Sequence, residues 1–271
     1  YAAAEDEAEH AGLHHFDGGV VVRSGRWMYV LDDMGRRVGE YRASDEIRQI
    51  IPYGEKTVIL ALYAKGIEIV DLGNGIFPMR VGRTDTLGRA QALAVSGRLL
   101  LVADGLVGLS IIDIGDPSSP VLREQGIETE GRIEQVSTSG RAVVVNEEGA
   151  GIGLLRATTD TVHRQGIILT QLDVVLVHLL DPTTLLVVTA KQGIIYYDIS
   201  DLQAPVEWKR QDVAGDIIRA AATHGHLLLQ RADGRTIQTS LSCGLEGEAV
   251  VDGVVMVDAG LSDAGMNDAS D

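Results

Sequence analysis

The sequence of 271 residues predicts an all-β fold made of six repeated sheets. Apolar residues alternate with polar ones or form short runs rich in Val, Ile and Leu, and no stretch has the 3.6-residue period of a long helix. The chain contains 32 glycines, which indicates many tight turns. A segment of about 42 residues also recurs along the chain. Four-stranded units of this length are typical of a β-propeller, in which each sheet is one blade around a central channel.

The clearest part of the repeat is a strand that begins at a glycine and ends at an acid. Three copies align without gaps, at residues 66–71, 108–113 and 193–198, and each is followed by a proline 12 residues after its glycine. Two weaker copies begin at Gly151 and Gly234. The acid that ends the strand therefore recurs together with the turn that follows it.

A second marker is a turn glycine that precedes an apolar run. It occurs at Gly25, Gly54, Gly97, Gly140 and Gly225. Together the two markers predict six blades, each of four short antiparallel strands.

The first blade is one strand short in this pattern. Gly25 and Gly54 are 29 residues apart, whereas the next two intervals are 43 residues, so a strand is missing between Tyr41 and Ile47. The C-terminal segment 248–257 contains an Asp-Gly pair between apolar runs, which is a hairpin signal. We expect this segment to cross back, complete the first blade and close the ring, which would remove an exposed sheet edge.

The repeat resembles a known family. Residues 108–120 read Gly-Leu-Ser-Ile-Ile-Asp-Ile-Gly-Asp-Pro-Ser-Ser-Pro, and residues 193–205 follow nearly the same pattern. This pattern resembles the LVIVD repeat of bacterial and archaeal surface proteins, over about residues 18–245, and departs from it where Arg156 and Thr239 replace the acid. The resemblance implies a β-propeller that is exported and acts at the cell surface or in an extracellular assembly.

Charge divides the chain into a body and two acidic ends. Its 39 acids and 23 bases leave a net charge of −16, which argues against nucleic acid or an anionic membrane surface as the main partner. Residues 1–9 carry four acids and residues 252–271 carry five, and neither end has a base. We expect an acidic extension at 1–17, a propeller at 18–257 and an acidic tail at 258–271. No apolar run approaches the ~20 residues that span a bilayer, so no membrane insertion is expected.

The acids of the repeat form the first candidate site. Glu40, Asp71, Asp113 and Asp198 each follow the third strand of a blade, and a ring of carboxylates around a channel could bind calcium. The favoured interpretation is structural, because an Asp at a strand end accepts hydrogen bonds from turn amides two residues on. We therefore expect no cofactor, with calcium as the alternative.

Two arginines form the second candidate site. Arg89 and Arg132 each precede a turn glycine by eight residues, a position that opens the first strand of a blade near the channel mouth. They could bind an anion or a carboxylate, or they could pair with the nearby acids Asp85 and Glu130.

The histidines and the single cysteine give little indication of a metal site or a disulfide. His10 and His14 have the i, i+4 spacing of a metal site on a helix, with His15 and Asp17 close by, but they lie in the acidic end, where solvated side chains are expected. His224 and His226 flank a turn glycine and are too few to hold a metal. Cys243 is the only cysteine, so the chain has no internal disulfide and no cysteine-based zinc motif.

The function predicted from these features is binding. The chain lacks phosphate-binding Gly-x-x-x-x-Gly-Lys, Gly-x-Ser-x-Gly and His-Glu-x-x-His motifs, so an enzyme is less expected than a scaffold. The partner is expected to be another protein, within a larger assembly or filament, contacted through the connections that follow the second strands. Those connections contain Asp104, Leu106, Val107, Asn146 and Glu147. The alternative is a propeller-type hydrolase or lyase with a metal or anion at the channel.

Overall fold

The computed structural model consists of six antiparallel sheets of four strands each, arranged as the blades of a propeller. It describes residues 13–16, 19–73, 76–127, 129–169, 171–223, 225–241 and 255–257, and it has no helix among them. The six-bladed all-β fold predicted from the repeat is confirmed.

Each blade uses four strands that are consecutive in the chain. Blade 1 consists of β1 Leu13–Phe16, β2 Gly19–Ser24, β3 Trp27–Leu31 and β4 Arg37–Arg42. Blade 2 consists of β5 Ile47–Pro52, β6 Thr57–Leu62, β7 Gly66–Asp71 and β8 Met79–Thr84. Blade 3 consists of β9 Ala92–Ser96, β10 Leu99–Ala103, β11 Leu109–Asp113 and β12 Val121–Ile127. Blade 4 consists of β13 Arg132–Ser139, β14 Ala142–Glu148, β15 Gly151–Ala157 and β16 Val162–Leu169. Blade 5 consists of β17 Val174–Asp181, β18 Thr184–Thr189, β19 Gly193–Asp198 and β20 Val206–Gln211. Blade 6 consists of β21 Ile217–Thr223, β22 His226–Arg231, β23 Thr236–Ser240 and β24 Val255–Val257.

The middle strands are apolar on both faces because each sheet packs between two neighbours. All residues of β10 and β11 are buried. Successive residues of β10 face opposite blades: Leu100 packs with Ile69 of blade 2, and Leu101 packs with Val145 of blade 4. This explains why the sequence shows continuous apolar runs where a one-sided sheet would alternate.

Apolar clusters of this kind join blades 1 to 2, 2 to 3, 3 to 4, 4 to 5 and 5 to 6. Within the described residues no such cluster joins blade 6 to blade 1. At this boundary Ile218 and Leu228 remain 53% and 37% exposed. They border a cavity of about 590 Å³ that Arg23 of blade 1 also lines. Among the described residues, the boundary between blades 6 and 1 is therefore less tightly packed than the other five boundaries between blades.

Adjacent blades also interlock at their outer strands. The turn between the third and fourth strands of one blade contacts the outer strand of the preceding blade. The Thr84 hydroxyl of β8 donates to the Pro120 carbonyl of blade 3 at 2.7 Å. Gly166 of β16 lies so close to the Leu202 carbonyl of blade 5 that an added Cβ would collide with it. The proline-rich turn of the repeat is thus a packing element between blades.

The strands of blade 1 differ from the sequence prediction by a shift of one strand. The amide of Ile47 donates to the Gly25 carbonyl at 2.8 Å, just as Ile133 donates to Gly105 at 3.1 Å. Gly105 lies in a turn between second and third strands, so Gly25 marks that turn and not the turn between the first and second strands. The strand that was expected between Tyr41 and Ile47 is instead β1, upstream of the repeat and inside the predicted extension 1–17.

The C-terminal strand completes a blade, but that blade is the sixth. Val255 of β24 pairs with Gln238 of β23. The expected crossing to blade 1 is therefore wrong, because blade 1 already has its four strands and the edge of β23 is the nearer partner along the chain. Residues 248–254 of the predicted hairpin lie outside the described residues.

The repeated acids cap the turns that follow the third strands. The carboxylates of Asp71, Asp113 and Asp198 each accept a hydrogen bond from the amide two residues on, at 2.8, 2.9 and 2.9 Å. The structural interpretation of these acids is confirmed for all three.

Glu40 does not belong to this set of turn-capping acids. It lies inside β4, where it pairs with Arg37. The corresponding acid of blade 1 is Asp32, which follows β3 and accepts from the Met34 amide at 3.0 Å. The error has the same origin as the misplaced Gly25 turn, because both follow from reading blade 1 one strand out of register.

Candidate functional site

A polar cavity of about 420 Å³ lies where the first strands of the blades meet around the channel. Its lining comes from blades 1 to 4 and is dominated by long polar side chains. The lining residues are Arg23, Arg48, Tyr63, Gln91, Arg132, Glu134 and Gln135. Tyr63 lies in the turn after the second strand of blade 2, so the cavity opens on the face that carries these turns.

Two of these arginines hold their charges close together. The Arg23 guanidinium donates to the Ile47 carbonyl at 3.0 Å, and Arg48 is the next residue along the chain from Ile47. Burial, and after it the nearby charge of Arg48, lower the pKa of Arg23. The charges of Arg23 and Arg48 repel each other, Glu46 offsets part of this repulsion, and an anion in the cavity would be attracted to both arginines.

Tyr63 is a shared platform for two cations. The guanidinium carbon of Arg48 lies 4.5 Å from the ring centroid, and that of Arg89 lies 4.9 Å from it. Such contacts orient guanidinium groups by attraction to the face of the ring. Arg48 also pairs with Glu46 at 3.2 Å, while its Nε is buried and has no hydrogen-bond partner among the described residues.

The structure places Arg132 in the cavity lining and Arg89 at its edge, against Tyr63. Their anion-binding role stays a prediction. The expected acidic partners were wrong: Arg132 pairs with Glu134 at 3.3 Å, and no ion pair within the described ranges joins it to Glu130 or joins Arg89 to Asp85. Glu134 lies only two residues from Arg132 on β13, and both side chains line the cavity.

Asp85 and Glu130 instead take part in local structure. Both are exposed. The Asp85 carboxylate accepts from the Thr86 amide at 3.1 Å, and the backbone amide of Glu130 donates to the Glu147 carboxylate at 2.8 Å. Neither side chain lines the cavity.

Sequence reasoning missed Arg23 and Arg48. Arg23 lies on β2, which the pattern treated as a first strand, and Arg48 is the second residue of β5. The eight-residue spacing that selected Arg132 does not reach Arg48, which lies six residues before Gly54, so only a search of the whole start of each first strand could have found it. Arg23 needed the correct strand register of blade 1.

Asp104 is a buried carboxylate that joins two connections on the same face. It is fully buried, and it accepts hydrogen bonds from the Thr86 hydroxyl at 2.8 Å, the Gly88 amide at 3.1 Å and the Ser110 hydroxyl at 3.0 Å. Burial raises the pKa of Asp104, against the effect of these hydrogen bonds. The Asp104 side chain is enclosed and does not face solvent, so the predicted partner contact of its loop, which stays a prediction, does not come from this side chain.

Glu147 occupies the position in blade 4 that is equivalent to Asp104 in blade 3, and its side chain is enclosed in the same way. It is 1% exposed, and its carboxylate accepts from Arg164 Nη1 at 2.7 Å. Asn146 and Val107 are half-buried. An acid just before a turn looks exposed in sequence, but here the connection from the preceding blade covers it.

Leu106 is the predicted contact residue that does face solvent. It is 88% exposed, and Leu87, which lies between Thr86 and Gly88 in the connection held by Asp104, is 78% exposed. The turn that carries Leu106 lies between the two predicted arginines. On one side, the Asp104 carbonyl accepts a hydrogen bond from the Arg89 amide at 3.3 Å. On the other side, the Gly105 carbonyl accepts one from the amide of Ile133, the residue next to Arg132. Two exposed leucines thus adjoin the arginine-lined cavity.

The metal candidates gain no support from geometry. No three His, Cys, Asp or Glu side chains of the described residues lie close enough together to hold a metal ion. His14 and His15 lie in strand β1 and not in a helix, and the His226 ring contacts Gln238 at 3.4 Å. His10, Asp17, His224 and Cys243 lie outside the described residues. None of the described segments is a helix of the length and apolarity needed to cross a membrane.

Comparison with known proteins supports the repeat and the fold. Residues 87–125 match the model of the LVIVD repeat, a segment that covers blade 3 up to the middle of β12 and part of the connection before the blade. A search of curated protein sequences gave no match.

Among solved structures, the WD40 domain of Neurospora crassa Pan2 is 14% identical with a TM-score of 0.67, over 84% of this chain and 73% of that one. BamB from Moraxella catarrhalis is 14% identical with a TM-score of 0.60, over 88% of this chain and 74% of that one. The computationally designed Ika8 protein is 12% identical with a TM-score of 0.67, over 89% of this chain and 74% of that one. At these identities the likeness concerns the fold alone. Together with the six-bladed fold, the matched repeat supports the resemblance to LVIVD-repeat β-propellers that the sequence motif predicts.

Proposed function

We propose that this protein is a non-catalytic binding propeller that is exported and mediates contacts between proteins at the cell surface or in an extracellular assembly. The observation that carries the proposal is the pair of exposed leucines, Leu87 and Leu106, beside the arginine-lined channel mouth. Large apolar side chains that are grouped on one face of a soluble domain are typical of an interaction surface.

The leucines are held in place before a partner arrives. Asp104 bonds to Thr86 and Gly88 on either side of Leu87, and its own backbone begins the turn that presents Leu106. A surface that is already ordered loses less conformational entropy on binding than a flexible loop does. The buried acid therefore favours a recognition role for this face.

A site-specific photocrosslinker tests the contact surface. The crosslinking residue is placed at Leu106, and in a matched control at Met34, which is 78% exposed on the turn between β3 and β4 at the opposite end of the blades. In the native source, we expect one defined protein adduct at position 106 and none at position 34. Equal labelling at both positions, or no adduct at either, would contradict the proposed surface.

Two further measurements test the rest of the proposal. Fractionation of the native source with an antibody to this chain should recover it outside the cytoplasm, as the family resemblance leads us to expect. Elemental analysis of protein purified without chelator should find no stoichiometric metal. A metal bound one to one would favour the hydrolase or lyase alternative.

A further inference from the structure

We infer that the channel mouth binds the carboxylates of an acidic, leucine-containing peptide segment of a partner protein. This inference rests on the proposed binding function and names the chemistry that the partner must present. The residues that carry it are Arg48, Arg89 and Arg132, together with Arg23, which also lines the cavity.

The cavity has a local excess of positive charge. Three guanidinium groups line the cavity and a fourth, that of Arg89, lies at its edge against Tyr63. The ion pairs of the described residues supply two carboxylates to them, Glu46 on Arg48 and Glu134 on Arg132. This local positive excess occurs in a chain with a net charge of −16. A concave site of one sign attracts ligands of the opposite sign, even when the whole protein carries that opposite sign.

The arginines of the site also offer hydrogen-bond donors to a ligand. The buried Nε of Arg48 has no hydrogen-bond partner among the described residues, and a buried donor without a partner costs free energy that a ligand oxygen would recover. Arg48 and Arg89 are both oriented by the Tyr63 ring. Oriented guanidinium groups suit carboxylates because the planar fork can donate two parallel hydrogen bonds.

The shape of the surroundings also bears on the ligand. The cavity of about 420 Å³ exceeds what a single small anion would fill, and the turn that carries Leu106 lies between Arg89 and Arg132. Leu87 is two residues before Arg89. A ligand that reaches the arginines from outside therefore passes two exposed leucines, which favours a peptide with apolar residues on both sides of its acids.

The test is direct binding of a labelled peptide to the whole chain. The probe is a fluorescent peptide, Ala-Leu-Asp-Glu-Leu-Ala, with an amidated C-terminus, and its matched control has Asn-Gln in place of Asp-Glu. We expect the acidic peptide to bind and the amide peptide to bind at least about tenfold more weakly, because the amide side chains replace charge-assisted hydrogen bonds with weaker neutral ones.

Arginine variants locate the site. Arg132→Gln and Arg48→Gln should each weaken peptide binding by about tenfold or more. Arg141→Gln removes the same charge from an exposed turn at the opposite end of blade 4 and should change binding less than about twofold. Thermal melting of each variant confirms folding, and Arg89→Gln, at an exposed position, replaces Arg48→Gln if that variant fails to fold.

Four results would overturn the inference. The amide peptide could bind as tightly as the acidic one, or the channel-mouth variants could bind as tightly as the Arg141 control. Inorganic phosphate or citrate could bind at the arginines while the peptide does not, which would make the cavity a site for small anions only. A crosslink at position 106 in the absence of peptide binding would reject this inference and leave the proposed function intact.

Discussion

Removal of the Asp104 carboxylate should destabilise the propeller strongly for a single side chain. Asp104→Ala leaves three donors without their acceptor: the buried hydroxyls of Thr86 and Ser110 and the half-buried amide of Gly88. Each buried donor without a partner costs about 1–3 kcal/mol, and the hydroxyls can partly reorient. Taking about 1 kcal/mol for each donor, we expect a loss of about 3 kcal/mol in the free energy of unfolding.

Asp104→Asn should retain most of this stability. The amide oxygen can accept from Gly88 and Ser110, and the amide nitrogen can donate to the Thr86 hydroxyl once that hydroxyl turns. We expect a loss within about 1 kcal/mol of wild type, since the hydrogen bonds are kept and a buried charge is removed.

The assay is urea unfolding at neutral pH with thermal melting alongside. A loss of about 3 kcal/mol lowers the melting temperature by about 6–12 °C in a chain of this size. Asp85→Ala is the matched control, because Asp85 is exposed in the same connection and accepts only from Thr86; its expected loss is below about 1 kcal/mol. The reasoning is refuted if Asp104→Ala is as stable as the Asp85 control, or if Asp104→Asn loses as much as Asp104→Ala.

The remaining predictions concern packing, pH and local opening. Gly166→Ala should lower the free energy of unfolding in urea by about 2 kcal/mol, because the added Cβ meets the Leu202 carbonyl of the next blade. The control His163→Ala, at an exposed position on the same strand, should leave the free energy of unfolding nearly unchanged. Equal effects of the two substitutions would count against the interlocking of the outer strands. Hydrogen bonds from two arginines and an amide lower the pKa of Asp113, so the stabilisation by this carboxylate is present at neutral pH and is lost as pH falls below about 4. The Asp113→Asn variant should therefore lose less stability between pH 6 and pH 3 than the wild-type protein does. A pH profile that is the same in the variant and the wild type would refute this prediction. In hydrogen exchange, β22 should exchange earlier than the fully buried β10, since it borders the loosely packed boundary between blades 6 and 1; equal protection would show that boundary to be as firm as the others.

Local patterns were sufficient for the blades and their turns. The strands of blade 3 follow from runs such as 99–103 and 109–113, whose apolar character needs no knowledge of the neighbours. The acids at 71, 113 and 198 cap turns through hydrogen bonds that span two residues. Interactions of such short range are written into adjacent positions, so a single sequence reveals them.

Blade 1 shows where a local pattern misleads. A turn glycine marks a turn without saying which two strands it joins, so Gly25 was assigned to the wrong turn and Glu40 to the wrong role. Only the hydrogen bond from Ile47 to Gly25, which joins two blades, identifies the turn. The position of β24 in blade 6 depends in the same way on which edge is still open after the other strands have paired.

The sequence by itself determined an all-β chain of six repeated units with acid-capped turns, because strand period and turn chemistry are properties of neighbouring residues. The tertiary structure alone decided that Asp104 and Glu147 are buried, because the connection from the preceding blade covers each of them. It also decided that Arg23, Arg48 and Arg132 share one cavity, because those arginines belong to blades 1, 2 and 4 and meet only where the ring brings the inner strands together.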